Sequence, residues 1–433
     1  YNEFKKSREE LMAAKVKKIL LVTQYFNPEH FVVNQLAVSL VARGYQVEVL
    51  TGLPNYPKGV FAQGYSFWRG PWRENYHGVQ VVRVPLLARG QGFKRLALNY
   101  LSFVLFGIVP GVFRIQHDYD VIFCMGLSPV TSCLPAIVMK WWSRKPLVFW
   151  VQDLWPESVA AVGAARNSRI VNAIGYLVRF IYRQCDLILI QSQAFRENIL
   201  RWGGQSIPVA LVPNWAKSLP RDGDLPTWLQ NLPQGFRIVF AGNIGKAQDL
   251  PVLIEAAKIL KSSDVGHLIK WIIVGDGSEK AFVESQVIKW NLEDSIFLYG
   301  RRPPEDMGHL CAQGDLMYLA LTDEPIFALT VPSRVQGFMA AGKPIVAAIN
   351  GEGQRVIVEA GAGKVAPAGD SKRLAELIRE FVRMSPEERK AFGQGGRKYF
   401  EEYFDEELVI GQIEKHLCEV RLNQQDKKVA VKL

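Results

Sequence analysis

Cysteine is scarce and scattered: five among 433 residues, at positions 124, 133, 185, 311 and 418, with no C-x-x-C pair. That excludes a disulfide framework or a zinc finger and fits a reducing compartment. The six histidines (30, 77, 117, 267, 309, 416) lack H-x-x-x-H or other ligand spacing, so no metal centre is expected. No G-x-S-x-G or Walker A run is present, and neither an internal repeat nor a low-complexity stretch occurs. Two D-x-D triplets, at 118–120 and 222–224, read as chance and not as a metal–diphosphate motif. Acidic residues are outnumbered, 42 against 52 Lys and Arg, which leaves a net charge of +10. The excess favours anionic partners: phosphates, nucleic acid or an acidic lipid surface. The basic residues are dispersed and carry no nucleic-acid motif, which sets that partner aside. Apolar residues at 48% and charged residues at 22% exclude wholesale disorder, collagen and coiled coil.

What is present is an alternation of short apolar, β-branched runs with helical patterns. The runs Lys17–Thr23, Gln46–Leu50, Val79–Leu86, Val121–Met125, Leu147–Gln152 and Leu187–Gln191 read as strands. An amphipathic helix over Val33–Arg43 is stopped by Gly44. Around 217–235 the pattern breaks in a polar, Pro-rich stretch. A second alternation then supplies strands at Phe236–Ala241, Ile269–Val274, Ile296–Tyr299, Leu316–Leu321 and Pro344–Ile349. Such alternation implies α/β architecture, with parallel sheets covered by helices on both faces. The expected layout is an N-terminal extension over 1–15 and a first Rossmann-like domain over 16–217. A linker over 218–235 and a second Rossmann-like domain over 236–404 follow. A C-terminal helix over 405–422 packs back on the first domain, and a basic tail over 423–433 frays. Two doubly wound domains in tandem would face a central cleft, with ligands at the carboxyl ends of the strands. The chain opens at Tyr1, not Met, which reads as a fragment or a processed chain, and residues 1–15 lack the apolar core of a signal peptide.

The run Leu96–Phe113 (LALNYLSFVLFGIVPGVF) is nearly all apolar over 18 residues, the lower range of a membrane span at ~17–25. Gly107, Pro110 and Gly111 interrupt it, Asn99 and Ser102 are polar, and Lys94, Arg95 and Arg114 flank it. It reads first as a helix lying in a membrane interface, second as a core helix, and last as a span.

Candidate sites fall at strand ends. In AGNIGKAQDL, a buried strand ends in Gly242, Asn243, Ile244, Gly245 and Lys246. Two glycines admit backbone N–H groups close to an anion, and Lys246 adds charge. The spacing is not G-x-G-x-x-G, so a dinucleotide fingerprint is not met. In VPSRVQGFMAAGKP, Pro332 and Ser333 precede a short helix, with Ser333 as its N-cap and Arg334 in its first turn, a seat for a pyrophosphate. Gly275 and Gly277 of VGDGSEK offer a flat surface for a nucleobase, and Arg301 and Arg302 follow the next strand. In the first domain, FWVQDLWPES ends a strand in Gln152 and Asp153, a carboxylate placed to accept a proton or orient a hydroxyl. YFNPEH and LPNYPKG bring Asn27, Glu29, Asn55 and Tyr56 to further strand ends, groups suited to a sugar. For each, a plain capped or Pro-stiffened turn is the competing reading.

In this order the segments VLTGLPNYPKG, RLALNYLSF, FWVQDLWPES, LVPNW, AGNIGKAQDL, VGDG, EPIFALTVPSRVQGFMAAGKPI and NGEGQRVI resemble the GT-B glycosyltransferases of family four, over about Lys17–Phe404. The branch they resemble is that of the WbuB-like N-acetyl-L-fucosamine transferases of bacterial surface-polysaccharide assembly. The resemblance implies a UDP-sugar in the C-terminal domain and an acceptor in the N-terminal domain. It also implies retained anomeric configuration and no required metal or other cofactor. It adds Asn214 of LVPNW and Val335 and Gln336 of VPSRVQG to the donor residues. Asn243 and Gln248 stand where many relatives carry Arg and Lys for the diphosphate, so the charge falls to Lys246, Arg301 or Arg334. The family's paired glutamates would fall at Leu329 and Gly337, and neither is acidic. Gln336 then serves the ribose and Glu324 the donor sugar. Phe31 and Val32 replace two glycines of the first loop, and Gln152 stands where relatives place a His, leaving Asp153 as the orienting acid.

The implied chemistry is front-face displacement: catalytic Asp153, Lys246, Arg334 and Glu324 position the reactants and stabilise the leaving diphosphate. The implied acceptor is a polyprenyl-diphosphate-linked glycan. The implied location is cytoplasmic, peripheral on the inner face of the plasma membrane, with Arg89, Lys94, Arg95 and Arg114 on anionic headgroups. Two alternatives remain: a GT-B nucleotide-sugar epimerase, and a non-catalytic polysaccharide-assembly subunit.

Overall fold

The structure is a computed structural model that describes residues 16–90, 92–161, 168–217 and 223–430. The proposed N-terminal extension, the first residues of the proposed linker with Asp222 of the second D-x-D triplet, and the last three residues of the tail lie outside that set. The chain forms two units: Tyr1–Val212 with Ile410–Leu433, and Pro213–Val409.

In the first unit the strands are β1 (Lys18–Val22), β2 (Gln46–Gly52), β3 (Arg73–Tyr76), β4 (Val79–Val84), β5 (Val121–Gly126), β6 (Leu147–Val151), β7 (Leu187–Ile190) and β8 (Val209–Leu211). They join in the order β3-β4-β2-β1-β5-β6-β7-β8. All pairings are parallel except the β3–β4 hairpin. VIFCMG of β5 and LVFWV of β6 are buried at every position, as a sheet covered on both faces requires. The covering helices include α1 (Val32–Ala42), α2 (Phe93–Arg114), α3 (Cys133–Ser143) and α4 (Ser168–Gln184). Strand order reverses between β1 and β5, so the loops after these strands open a crevice at their carboxyl ends.

The second unit has a six-stranded, wholly parallel sheet in the order β11-β10-β9-β12-β13-β14. Its strands are β9 (Phe236–Ala241), β10 (Ile269–Val274), β11 (Ile296–Gly300), β12 (Leu316–Ala320), β13 (Ile345–Ala348) and β14 (Gly363–Ala366). Helices α5 (Leu250–Lys261) and α6 (Ser333–Ala340) lie after β9 and β12. The reversal here is between β9 and β12. The last helix, α7 (Glu406–Ala430), belongs to the first unit from Ile410 onward. There Glu414 pairs with Arg43 and Arg421 with Asp120.

Every expected strand is present, and three short ones (β3, β8 and β14) are additional. The proposed linker is not wholly loose: Thr227–Gln230 is a helical turn, and Leu229 and Leu232 are buried in the second unit's core. The first D-x-D triplet is structural. Asp120 accepts the Lys17 and Lys18 amides, and Asp118 pairs with the Lys18 ammonium.

Candidate functional site

In the second unit the loop after β9 and the start of α6, which carry part of the expected donor residues, meet at the switch point. Beyond β9, the Gly242 amide donates to the Val274 carbonyl and the Ile244 amide to the Asp276 carbonyl, both at 2.9 Å. The loops after β9 and β10 are thus zipped by backbone. Gly275, at φ +152°, permits this: a Cβ there would lie 1.8 Å from the Gly242 carbonyl oxygen. The two glycines of VGDG therefore serve loop packing first. The Thr322 amide donates to the Ala247 carbonyl at 3.1 Å, which brings Lys246 to Gln248 beside Asp323 and Glu324. Asp323, Glu324, Phe327, Ala328 and Asn350 line a hollow there.

Arg334 reaches this place from the first turn of α6. Its Cδ lies 3.3 Å from where a Cβ on Gly242 would sit, and its guanidinium rests 5.0 Å over the Phe240 ring. Burial pulls the guanidinium down to about 10, while the neighbouring Tyr318 favours its charge. Its Nη1 is buried and meets no acceptor among the described residues. A buried guanidinium nitrogen with no acceptor is costly, which makes Arg334 the candidate anion-binding group of this unit. Helix α6 has no side-chain cap and no acid in its first turn, so its positive end is also available. Gln248 Oε1 and Gln336 Oε1 are further buried oxygens without a donor among the described residues.

Three expectations change here. The N-cap of α6 is Pro332, not Ser333, which is the first helical residue and exposed. Val335 is fully buried and its amide goes to the Pro332 carbonyl, so it anchors α6 instead of facing a donor. Gln336 is also buried, and its Nε2 donates to the Asn214 carbonyl at 2.7 Å, tying the LVPNW segment to α6. Lys246, Asn243 and Glu324 are exposed. Arg301 is exposed after β11, an edge strand separated from β9 by β10, and Arg302 rests 4.8 Å over the Trp228 ring.

In the first unit, Glu29 is buried after β1 and its Oε1 accepts the Asn55 and Tyr56 amides at 2.8 and 2.7 Å. Burial outweighs these bonds and pushes its carboxyl up to about 7. The Asn27 carbonyl accepts from Arg83, whose Nη1 also donates to Gly52 O at 3.0 Å. Arg89 lies 5.3 Å over the Tyr56 ring. Asp153 follows β6 in an open position, its carboxyl raised by desolvation and opposed by the Ser128 hydroxyl. Tyr100 of α2 lies 6.3 Å from the Trp155 ring, edge to face, and burial raises its hydroxyl.

Gln24 and Tyr100 carry no signal in the sequence, and Asn99 shows there only as a polar residue in an apolar run. Asn99 is fully buried: it accepts from Gln24 Nε2 at 2.7 Å and donates to Leu87 O at 2.6 Å. Its polarity inside an apolar helix was the signal. The opposite side of α2 exposes Leu98, Leu101, Leu105, Val109 and Phe113. Trp68, 85% exposed, adjoins Phe67, which packs on Phe106 of α2. Lys94 and Arg95 are exposed at the helix start. Arg114 is turned inward to Arg83 O and the Trp72 ring, and Arg89 to Tyr56, so neither faces outward as expected.

Residues 30–215 match the family described as "Glycosyl transferase 4-like domain", and residues 230–399 match "Glycosyl transferases group 1". The chain is a glycosyltransferase of the GT-B type. The transferase is 28% identical over 265 residues to "Probable glycosyltransferase WbjE" of Pseudomonas aeruginosa, covering 58% of this chain and 61% of that protein. It is 25% identical to "Putative colanic acid biosynthesis glycosyl transferase WcaI" of Escherichia coli K12, covering 75% and 81% of the two chains. The structure of HepE from Anabaena, solved with UDP and glucose, superposes with a TM-score of 0.65 at 21% identity, over 93% of this chain and all of that one. The Escherichia coli relative is named for colanic acid biosynthesis, and a third relative, "Amylovoran biosynthesis glycosyltransferase AmsK" of Erwinia amylovora, is 28% identical over 148 residues, 34% of this chain and 36% of that protein.

Proposed function

We propose that the protein is a retaining transferase that moves an N-acetylated deoxyhexosamine from a UDP-sugar to a polyprenyl-diphosphate-linked glycan. One observation carries the donor reading: the buried, unpartnered Nη1 of Arg334 beside Gly242 at the β9/β12 switch point. That arrangement suits a diphosphate, and the UDP named for the HepE complex supports the nucleotide. The shallow hollow after β12, lined by Phe327 and Ala328 with Asp323, Glu324 and Asn350, puts both apolar and polar groups beside this place.

The acceptor hydroxyl oxygen bonds to the anomeric carbon on the face from which the diphosphate departs. The bond from that carbon to the β-phosphate oxygen breaks, and the hydroxyl proton passes to a leaving phosphate oxygen. No strong protein base is needed. Arg334, Lys246 and the α6 end stabilise the developing charge without a metal. Asp153 orients the acceptor and Glu324 the donor sugar.

The location is cytoplasmic, at the inner face of the plasma membrane. Support comes from α2, whose 21-residue stretch Lys94–Arg114 is long and apolar enough to cross a bilayer, yet one side packs on the unit. A helix with one apolar side outward and Lys94 and Arg95 at its end suits lying on an anionic surface, near a lipid-borne acceptor. The test is thermal shift with UDP-, GDP- and dTDP-sugars, followed by NMR of the product anomer. Stabilisation by UDP-sugars and an unchanged anomer are expected. No shift with any nucleotide, or an inverted anomer, refutes the reading.

A further inference from the structure

We propose that Asn99 is a positioning residue, coupling the seating of α2 on an anionic bilayer to the loop that receives the acceptor. The proposal rests on the membrane and acceptor readings above. Outward, α2 presents Leu98, Leu101, Leu105, Val109 and Phe113. Inward, one turn of the same helix holds three loops. Asn99 Oδ1 accepts from Gln24 Nε2, after β1. Asn99 Nδ2 donates to Asn55 Oδ1 at 3.3 Å, after β2, and to Leu87 O at 2.6 Å, after β4. Ser102 Oγ adds a bond from the Leu87 amide at 2.9 Å. Asn55 Oδ1 also accepts the Arg89 amide at 2.9 Å, and the Asn55 and Tyr56 amides converge on Glu29. Every polar atom of the Asn99 side chain is therefore spent on a loop carrying, or touching, an acceptor candidate.

A leucine at position 99 would satisfy the helix and its core without these bonds. An amide there costs desolvation unless each bond is kept, so its presence ties helix position to loop position. The bonds are short-ranged, and a displacement of α2 by about an ångström breaks them. Lipid contact along the apolar side holds the helix in register, and the Asn55–Tyr56 loop inherits that register. Asn99 touches no substrate and acts through Asn55.

The test uses the full chain with Asn99→Ala, Asn99→Leu and Leu101→Glu/Leu105→Glu. Its readouts are sedimentation with phosphatidylglycerol vesicles, donor thermal shift, and acceptor KM and kcat. Asn99→Ala is expected to bind vesicles and donor as wild type, while acceptor KM rises roughly tenfold, the size of one to two net hydrogen bonds, with little change in kcat. Stimulation of a short-chain soluble acceptor by vesicles should vanish. Asn99→Leu fills the volume without these bonds, so it gives the same KM effect should the alanine variant fold poorly. An unchanged acceptor KM, or a parallel loss of donor shift and vesicle binding, overturns the coupling. Normal vesicle binding by Leu101→Glu/Leu105→Glu refutes the membrane reading instead.

Discussion

Arg334→Met separates a functional cation from a structural one. Burial holds the guanidinium at about 10, against an ordinary 12.5. At 1.36 kcal/mol per tenfold that corresponds to ~3 kcal/mol of desolvation, which residual water contact reduces to about 1–2 kcal/mol. Methionine fills similar space over Phe240 without charge and leaves no buried Nη1 unmet. The variant should therefore be as stable as wild type without ligand, or more stable by that amount. Wild type with UDP-sugar at a hundred times Kd gains ~2.7 kcal/mol. For a unit of this size that is a rise of roughly 5–10 °C in Tm. The variant should lose most of the rise, and turnover should fall by ~10²–10³. Differential scanning fluorimetry with and without UDP-sugar, beside a UDP-release assay, reads both quantities. A variant that melts earlier without ligand yet keeps the full donor shift would show Arg334 to be a structural residue and refute the diphosphate assignment.

Glu29, ordinarily near 4.5 and raised to about 7 in the fold, favours its protonated form when folded. Its contribution to stability is complete below pH 4.5 and is lost as pH rises through 7, by about 1–3 kcal/mol. Glu29→Gln should flatten that part of the urea-denaturation pH profile, and an unchanged slope counts against the assignment. Gly275→Ala places a Cβ against the Gly242 carbonyl at positive φ, and should cost about 2–4 kcal/mol by chemical denaturation. A loss under 1 kcal/mol contradicts the packing account. Asp153→Asn should leave the donor thermal shift intact while turnover drops by ~10²–10⁴; equal turnover removes Asp153 from the chemistry.

Parallel strands were legible because a sheet covered on both faces admits only apolar side chains, and runs such as LVFWV and LILI have no other home. The three strands not foreseen are an edge hairpin strand, RENY, and the short edge strands VAL and GKVA, whose half-exposed positions leave no such run. The Pro-rich stretch before β9 concealed Trp228, Leu229 and Leu232, apolar anchors that draw its end into the second unit. Among the candidate donor residues, the neighbourhood of Arg334 and Gly242 follows from local patterns, a glycine at a strand end and a basic first turn. That of Val335 and Gln336 does not, since which side of α6 faces the core depends on how the helix sits on the sheet.

The same limit explains the two meanings of α2. Periodicity along one helix reports that Leu98, Leu101 and Leu105 share a side with Val109, but not whether that side meets the sheet or the outside. The polar pair Asn99 and Ser102 suggests the wrong answer, because polar residues on a sheet-covering helix ordinarily face water. Here they face inward, and the leucines outward, because three loops after β1, β2 and β4 present backbone and amide groups that only a buried polar side chain can satisfy. The outward leucines and the inward amide therefore sit on one helix, which is why the proposed lipid contact and the proposed acceptor loop can be tested through the same element.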